Sequence, residues 1–197
     1  MNNRDRVLFP LILIALITFS CERNEKEKKE EVKSKKAVKI DQDYYLDEDY
    51  YQFDKLDLLK SEIQGAIMLP NETSRLGTSE KPKIHHERGG FKWEISVGPS
   101  FSLYIEDYGK QKNLIKNHKI KLKTQNNVYK IEYLKDLPNL LVYKKTLKET
   151  NNHSSYFIYA QKKINNITYE IKNKSRGNKK DIVDVMEKSI FSFKSSI

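Results

Sequence analysis

From residue 91 onward the chain alternates apolar and polar residues with a period of two, and this restricts it to strands with one dry face and one wet face. Phe91, Trp93, Ile95 and Val97 alternate with Lys92, Glu94 and Ser96. Gly98, Pro99 and Ser100 then make a turn, after which Phe101, Leu103 and Ile105 resume the pattern, so the two runs predict a hairpin. Trp93, lying between Phe91 and Ile95, reads as core rather than as a ligand platform. Residues 128–134 and 140–147 are further strands, as are 156–164 and 167–172. The last two flank Asn165 and Asn166, which tolerate the positive φ of a two-residue hairpin turn. In that register Ile164 faces Ile167 and Ala160 faces Ile171. Upstream, residues 65–69 suit an additional strand stopped by Pro70, after a short helix over 56–63; residues 71–82 read as loop.

Two segments change the period. Residues 110–122 place Leu114, His118 and Leu122 on one side of a helix, although Ile120 to Lys123 also alternates. Near the end Ile182, Val185, Met186, Ser189, Ile190 and Phe193 recur at three- and four-residue spacing, a stripe that packs across a sheet. Asn178 is placed to cap this helix, and Asp181 in its first turn favours the positive end of the dipole. No regular strand–helix alternation occurs, which argues against a parallel doubly wound sheet. The expected fold is α+β, an antiparallel β-sheet with helices packed on its faces. This order of elements over residues 65–193 resembles the PsbP-like α/β/α sandwich. The resemblance rests on element order and hydrophobic pattern without a diagnostic motif, and it implies a binding or assembly role rather than an enzymatic one.

The N-terminal region has a different character. Arg4 and Arg6 precede an apolar run over residues 7–19 that ends at Ser20 and Cys21. At about 13 residues this run is shorter than the roughly 20 needed to cross a bilayer core. It resembles a bacterial lipoprotein signal, in which a small residue precedes a cysteine that is lipidated and becomes the new N-terminus. Ser20 meets the small-residue requirement, whereas Thr18 and Phe19 depart from the aliphatic-then-small pattern. The resemblance implies a signal peptide over residues 1–20, lipid attachment at Cys21 and an envelope location, with Glu22 favouring the outer over the inner membrane. Each buried methylene contributes about 0.8 kcal/mol, so more than one acyl chain supplies what the short run cannot. Cys21 is the sole cysteine, so the domain holds together without an intramolecular disulfide.

Residues 22–36 are almost all Glu, Lys or Arg and cannot bury enough surface to fold. With the acidic, tyrosine-rich residues that follow, they make residues 21–55 a charged, flexible tether, and residues 56–197 a single α+β domain. Asp41, Asp43, Asp47, Glu48, Asp49 and Asp54 interleave there with Tyr44, Tyr45, Tyr50, Tyr51 and Phe53, as a solvated linker docking its last aromatics on the domain edge or as a segment shown to a partner. The net charge of +10 arises from 37 basic and 27 acidic residues. Most of the basic residues are lysine, which suits a solvated surface better than bidentate phosphate reading.

Few residues invite chemistry. His85, His86 and Glu87 form the one cluster open to a metal or acid–base reading, but adjacent strand histidines point to opposite faces. His118 and His153 lie in no ligand spacing, so no metal and no cofactor are expected. No serine sits in a nucleophile-elbow context, and the seven glycines form no phosphate-cradling loop. Glu106 and Asp107 read as a solvated pair at a strand end. Lys116, Lys119, Lys121, Lys123 and Lys130 with Tyr129 and Tyr133 could form a basic aromatic strip for nucleic acid or an anionic glycan; an envelope location argues against nucleic acid, and the strip is read as a wet face. The expectation is therefore a membrane-anchored lipoprotein without catalytic residues that binds a protein partner. Two alternatives stand beside it: an envelope enzyme using the loop at His85, His86, Glu87 and Arg88, and a carrier of a lipid or other hydrophobic ligand.

Overall fold

A computed structural model describes residues 52–74, 76, 81–87, 89–150 and 153–196. The expected signal peptide, Cys21 and the tether up to residue 51 lie outside the described residues, as does Arg88. The strands are β1 (Phe53–Asp57), β2 (Gly65–Pro70), β3 (Lys83–His86), β4 (Lys92–Val97), β5 (Phe101–Asp107), β6 (Tyr129–Leu137), β7 (Leu140–Leu147), β8 (Ser154–Ile164), β9 (Ile167–Asn173) and β10 (Lys194–Ser195). Helix α1 (Leu114–Lys123) lies between β5 and β6, and α2 (Lys180–Ser192) precedes β10. Seven strands form one antiparallel sheet in the order β3-β4-β5-β9-β8-β7-β6, while β1, β2 and β10 form a small second sheet. The fold is α+β with an antiparallel sheet, as the alternation predicts.

Each face of the large sheet has its own core. On one face Ile95, Leu103, Ile105, Ile171 and Ala160 pack against Ile182, Val183, Met186, Ile190 and Phe193 from α2 and its end, together with Ile67 and Leu69 of the small sheet. The main-chain N–H of Met68 donates to Ser192 Oγ at 2.8 Å, tying β2 to the helix. Trp93, only 4% exposed, belongs to this core, and its Nε1 donates to the Ser61 carbonyl at 2.6 Å. On the opposite face Leu114, Ile115 and Leu122 of α1 cover Leu141, Tyr143, Phe157 and Tyr159 of β7 and β8.

The hairpin read at Asn165 and Asn166 is present: both have positive φ, 47° and 69°, with Ile164 opposite Ile167 and Ala160 opposite Ile171. Other expectations need correction. Residues 56–63 form the end of β1 and a single 3-10 turn, Leu59–Ser61, rather than a helix, because Leu56 pairs with Ile67 and Glu62 turns the chain at φ 66°. β1 starts at Phe53, three residues before the expected domain boundary, and the buried Phe53 ring docks on the domain as the linker reading of that stretch expects. Helix α1 starts at Leu114 rather than at residue 110, after Asn113 at φ 65°, and continues through the ambiguous end to Lys123. Asn178 does not cap α2. The N-cap is Lys179, without a side-chain bond, while Asn178 Nδ2 donates to the Ser100 carbonyl and its Oδ1 accepts from Asn173 Nδ2, both at 2.8 Å. Finally Phe91, expected on the apolar face, is 67% exposed, because β4 begins one residue later, beyond the bend at Gly89 and Gly90.

Candidate functional site

Helix α1 covers only part of its face of the sheet. It lies over β7 and β8, and the half of that face formed by β3, β4 and β5 carries an open cleft of about 1080 Å³ instead. The strand registers place His85, Glu94, Tyr104, Lys172 and Tyr159 directly opposite one another in sequence across β3, β4, β5, β9 and β8. The neighbouring row holds Lys92, Glu106, Glu170 and Gln161. The two rows are the wet face of the alternation that buries Trp93, Ile95, Leu103 and Ile105 on the other side.

The polar groups of these rows hold one another in place. Tyr104 donates its hydroxyl to Glu94 Oε1 at 3.0 Å. Glu106 faces Lys92 at 3.3 Å and Lys172 at 3.9 Å. Lys172 also donates to Glu170, which is 5% exposed and accepts the Tyr159 hydroxyl on its other oxygen. Burial, then the hydrogen bond and charge of Glu94, raise the Tyr104 phenol above its ordinary value. Burial and the charges of Glu170 and Glu106 do the same for Tyr108 at the cleft wall. Both phenols stay protonated at neutral pH and can donate hydrogen bonds.

His118 sits where α1 meets this network. The i, i+4, i+8 spacing of Leu114, His118 and Leu122 turns all three toward the sheet. The His118 ring stacks on Tyr159 with centroids 3.8 Å apart, and its Nε2 lies 3.0 Å from the Tyr143 hydroxyl. Burial lowers the His118 pKa to about 4, against the opposing charge of Glu170 and with help from Lys145, Lys172 and Lys121. The imidazole is thus neutral at physiological pH and serves as a packing group. At the start of the helix the Leu114 N–H donates to Gln161 Oε1 at 2.9 Å, so the neighbouring row also fixes where α1 begins.

No protein-family model matches the chain, nor does any curated protein or solved structure. The site is defined by its own residues.

His85 and Glu87 line the cleft rim, but His86 points to the other face, where it stacks on Trp93 at 4.6 Å and its ring nitrogens lie 2.9 Å from the Lys92 carbonyl and 3.3 Å from Glu62. The adjacent histidines diverge as strand geometry requires, and among the described residues no group of three or more His, Cys, Asp and Glu can hold a metal ion. Glu106 and Asp107, read as solvated, line the cleft instead, with Glu106 in two ion pairs and Asp107 Oδ1 accepting from the Gly109 N–H at 2.6 Å. The basic strip is divided: Lys116, Lys119 and Lys123 border a smaller cleft of about 620 Å³ beside α1, and Lys119 is paired with Asp136 at 2.5 Å. Lys121 and Lys130 lie outside that cleft. The two predicted hairpins already set Tyr104 beside Glu94 and Tyr159 beside Lys172, but nothing local in the sequence brings the hairpins together, so the meeting of Lys172 with Tyr104 and Glu106 had no signal.

Proposed function

We propose that the chain is a membrane-anchored lipoprotein of the cell envelope, more at the outer than the inner membrane, whose domain binds a protein partner on the half of the sheet that α1 leaves uncovered. In this reading residues 1–20 are a lipoprotein signal peptide, and acyl chains on Cys21 hold the domain through a charged tether. The domain is a PsbP-like sandwich, with α1 and α2 as its outer layers. The observation that carries the binding role is the cleft of about 1080 Å³ on that half of the sheet, where Tyr104 is held by Glu94 and Lys172 by Glu170. Preorganised side chains lose little freedom when a partner arrives, which is what a recognition surface requires.

The enzyme alternative at His85, His86, Glu87 and Arg88 has weaker support, since the two histidines face opposite sides of β3. A hydrophobic-ligand carrier has weaker support too, because Leu114, Ile115 and Leu122 fill the space between α1 and the sheet. The test is in-cell photo-crosslinking from the membrane-anchored protein. A photoreactive residue at position 91 is expected to capture one discrete partner, and the same residue at Asp184 on α2 is expected to capture none. Equal yields at the two positions, or none at either, would reject the proposal.

A further inference from the structure

Four carboxylates, Glu87, Glu94, Glu106 and Asp107, line the large cleft against two cations, Lys92 and Lys172. Lys172 is shared between the buried Glu170 and Glu106, and Lys92 pairs with Glu106. Among the described residues, Glu87, Glu94 and Asp107 have no cationic partner. A locally acidic face thus stands on a chain whose net charge is +10. Complementary charge steers a partner and fixes its register, so the occupant should be cationic where it meets this face.

Geometry narrows the class further. Glu94 on β4 lies opposite Tyr104, and Glu106 is two residues along β5, which makes the two carboxylates a diagonal cross-strand pair. Such pairs lie about 7–8 Å apart at the backbone. Alternate side chains of an extended peptide recur at about 7 Å, from roughly 3.4 Å per residue. Lys92, whose side chain is 76% exposed, is a weak competitor for Glu106 and can yield to an incoming ammonium or guanidinium group. At the rim Phe91 offers a ring that is 67% exposed.

Building on the docking surface described under Proposed function, we propose that its occupant is an extended segment of a partner protein with lysine or arginine at alternate positions. Its cations meet Glu94 and Glu106, and an adjacent apolar side chain covers Phe91.

The test uses the full-length chain in detergent and fluorescence anisotropy of three labelled synthetic peptides. One alternates lysine with serine and carries a single leucine, the second has glutamate in place of lysine, and the third has the first peptide's composition with its lysines contiguous. The alternating lysine peptide should bind saturably and lose affinity as salt rises. The glutamate peptide should not bind, and the contiguous one should bind more weakly. Glu94→Gln combined with Glu106→Gln should weaken the alternating peptide about tenfold, Phe91→Ser should weaken it as well, and Asp184→Asn on α2 should leave it unchanged. Absence of saturable binding, equal affinity for the two lysine peptides, or indifference to the Glu94 and Glu106 changes would each overturn the proposal. If the peptides fail while crosslinking at position 91 still captures a partner, the cationic occupant is wrong and the docking surface stands; if both fail, both readings fall.

Discussion

Protonation of His118 should weaken the fold in mild acid, and a single substitution isolates the effect. Its folded pKa of about 4 lies below the ordinary 6.5, so between these values the unfolded chain binds the proton and the folded chain does not. The stability tied to the neutral ring is therefore complete above about pH 6.5 and is lost as pH falls toward about 4. Over that interval, at about 1.4 kcal/mol per pH unit, the loss amounts to about 3.5 kcal/mol. The ring is only partly buried, and water screens some of this, so about 2 kcal/mol is the expected effect. Phenylalanine at position 118 keeps the stack on Tyr159 but cannot take a proton. It forfeits the contact with the Tyr143 hydroxyl at every pH, so the informative quantity is the pH slope and not the absolute stability. Urea unfolding followed by circular dichroism, from about pH 7 to about pH 4.5, should show the wild type losing about 2 kcal/mol more than His118→Phe. Identical slopes in the two proteins would refute the assignment of His118 as a neutral, buried group.

Three other substitutions test the face that α2 covers. Glu187 is buried and held by Lys135 at 2.7 and 2.8 Å, so Lys135→Met strands a carboxylate; the expected loss is about 1–2 kcal/mol by urea unfolding, less than for a fully buried pair because the lysine is half exposed. Glu187→Gln in the Lys135→Met background should recover part of that loss. Ser189 Oγ is buried without a hydrogen-bond partner among the described residues, so Ser189→Ala should be neutral or raise Tm by a few degrees in a thermal melt, and a clear drop would point to an unseen partner.

Local chemistry explains what could be read from the sequence. Asn165 and Asn166 announce a tight turn, and once the turn is set the opposition of Ile164 to Ile167 and of Ala160 to Ile171 follows from strand geometry alone. The stripe on α2 is equally legible because helical spacing needs no knowledge of the partner face. The cleft was legible only in its halves: the two hairpins set Glu94 beside Tyr104 and Tyr159 beside Lys172, but the hairpins meet only after β9 inserts beside β5, with α1 and three strands intervening in the chain. Asn178 shows a different limit: its composition suited a helix cap, yet bonds to Ser100 and Asn173 claimed its side chain. Phe91 failed for a third reason, because the bend at Gly89 and Gly90 delays the strand by one residue and leaves the ring outside the core.

A domain that works at a membrane because lipid on Cys21 keeps it there is the claim with the most direct test. Intact mass of the mature protein extracted from membranes should correspond to a chain beginning at residue 21 and carrying more than one acyl group. A polypeptide still starting at Met1, or one with a free thiol at Cys21, would contradict it.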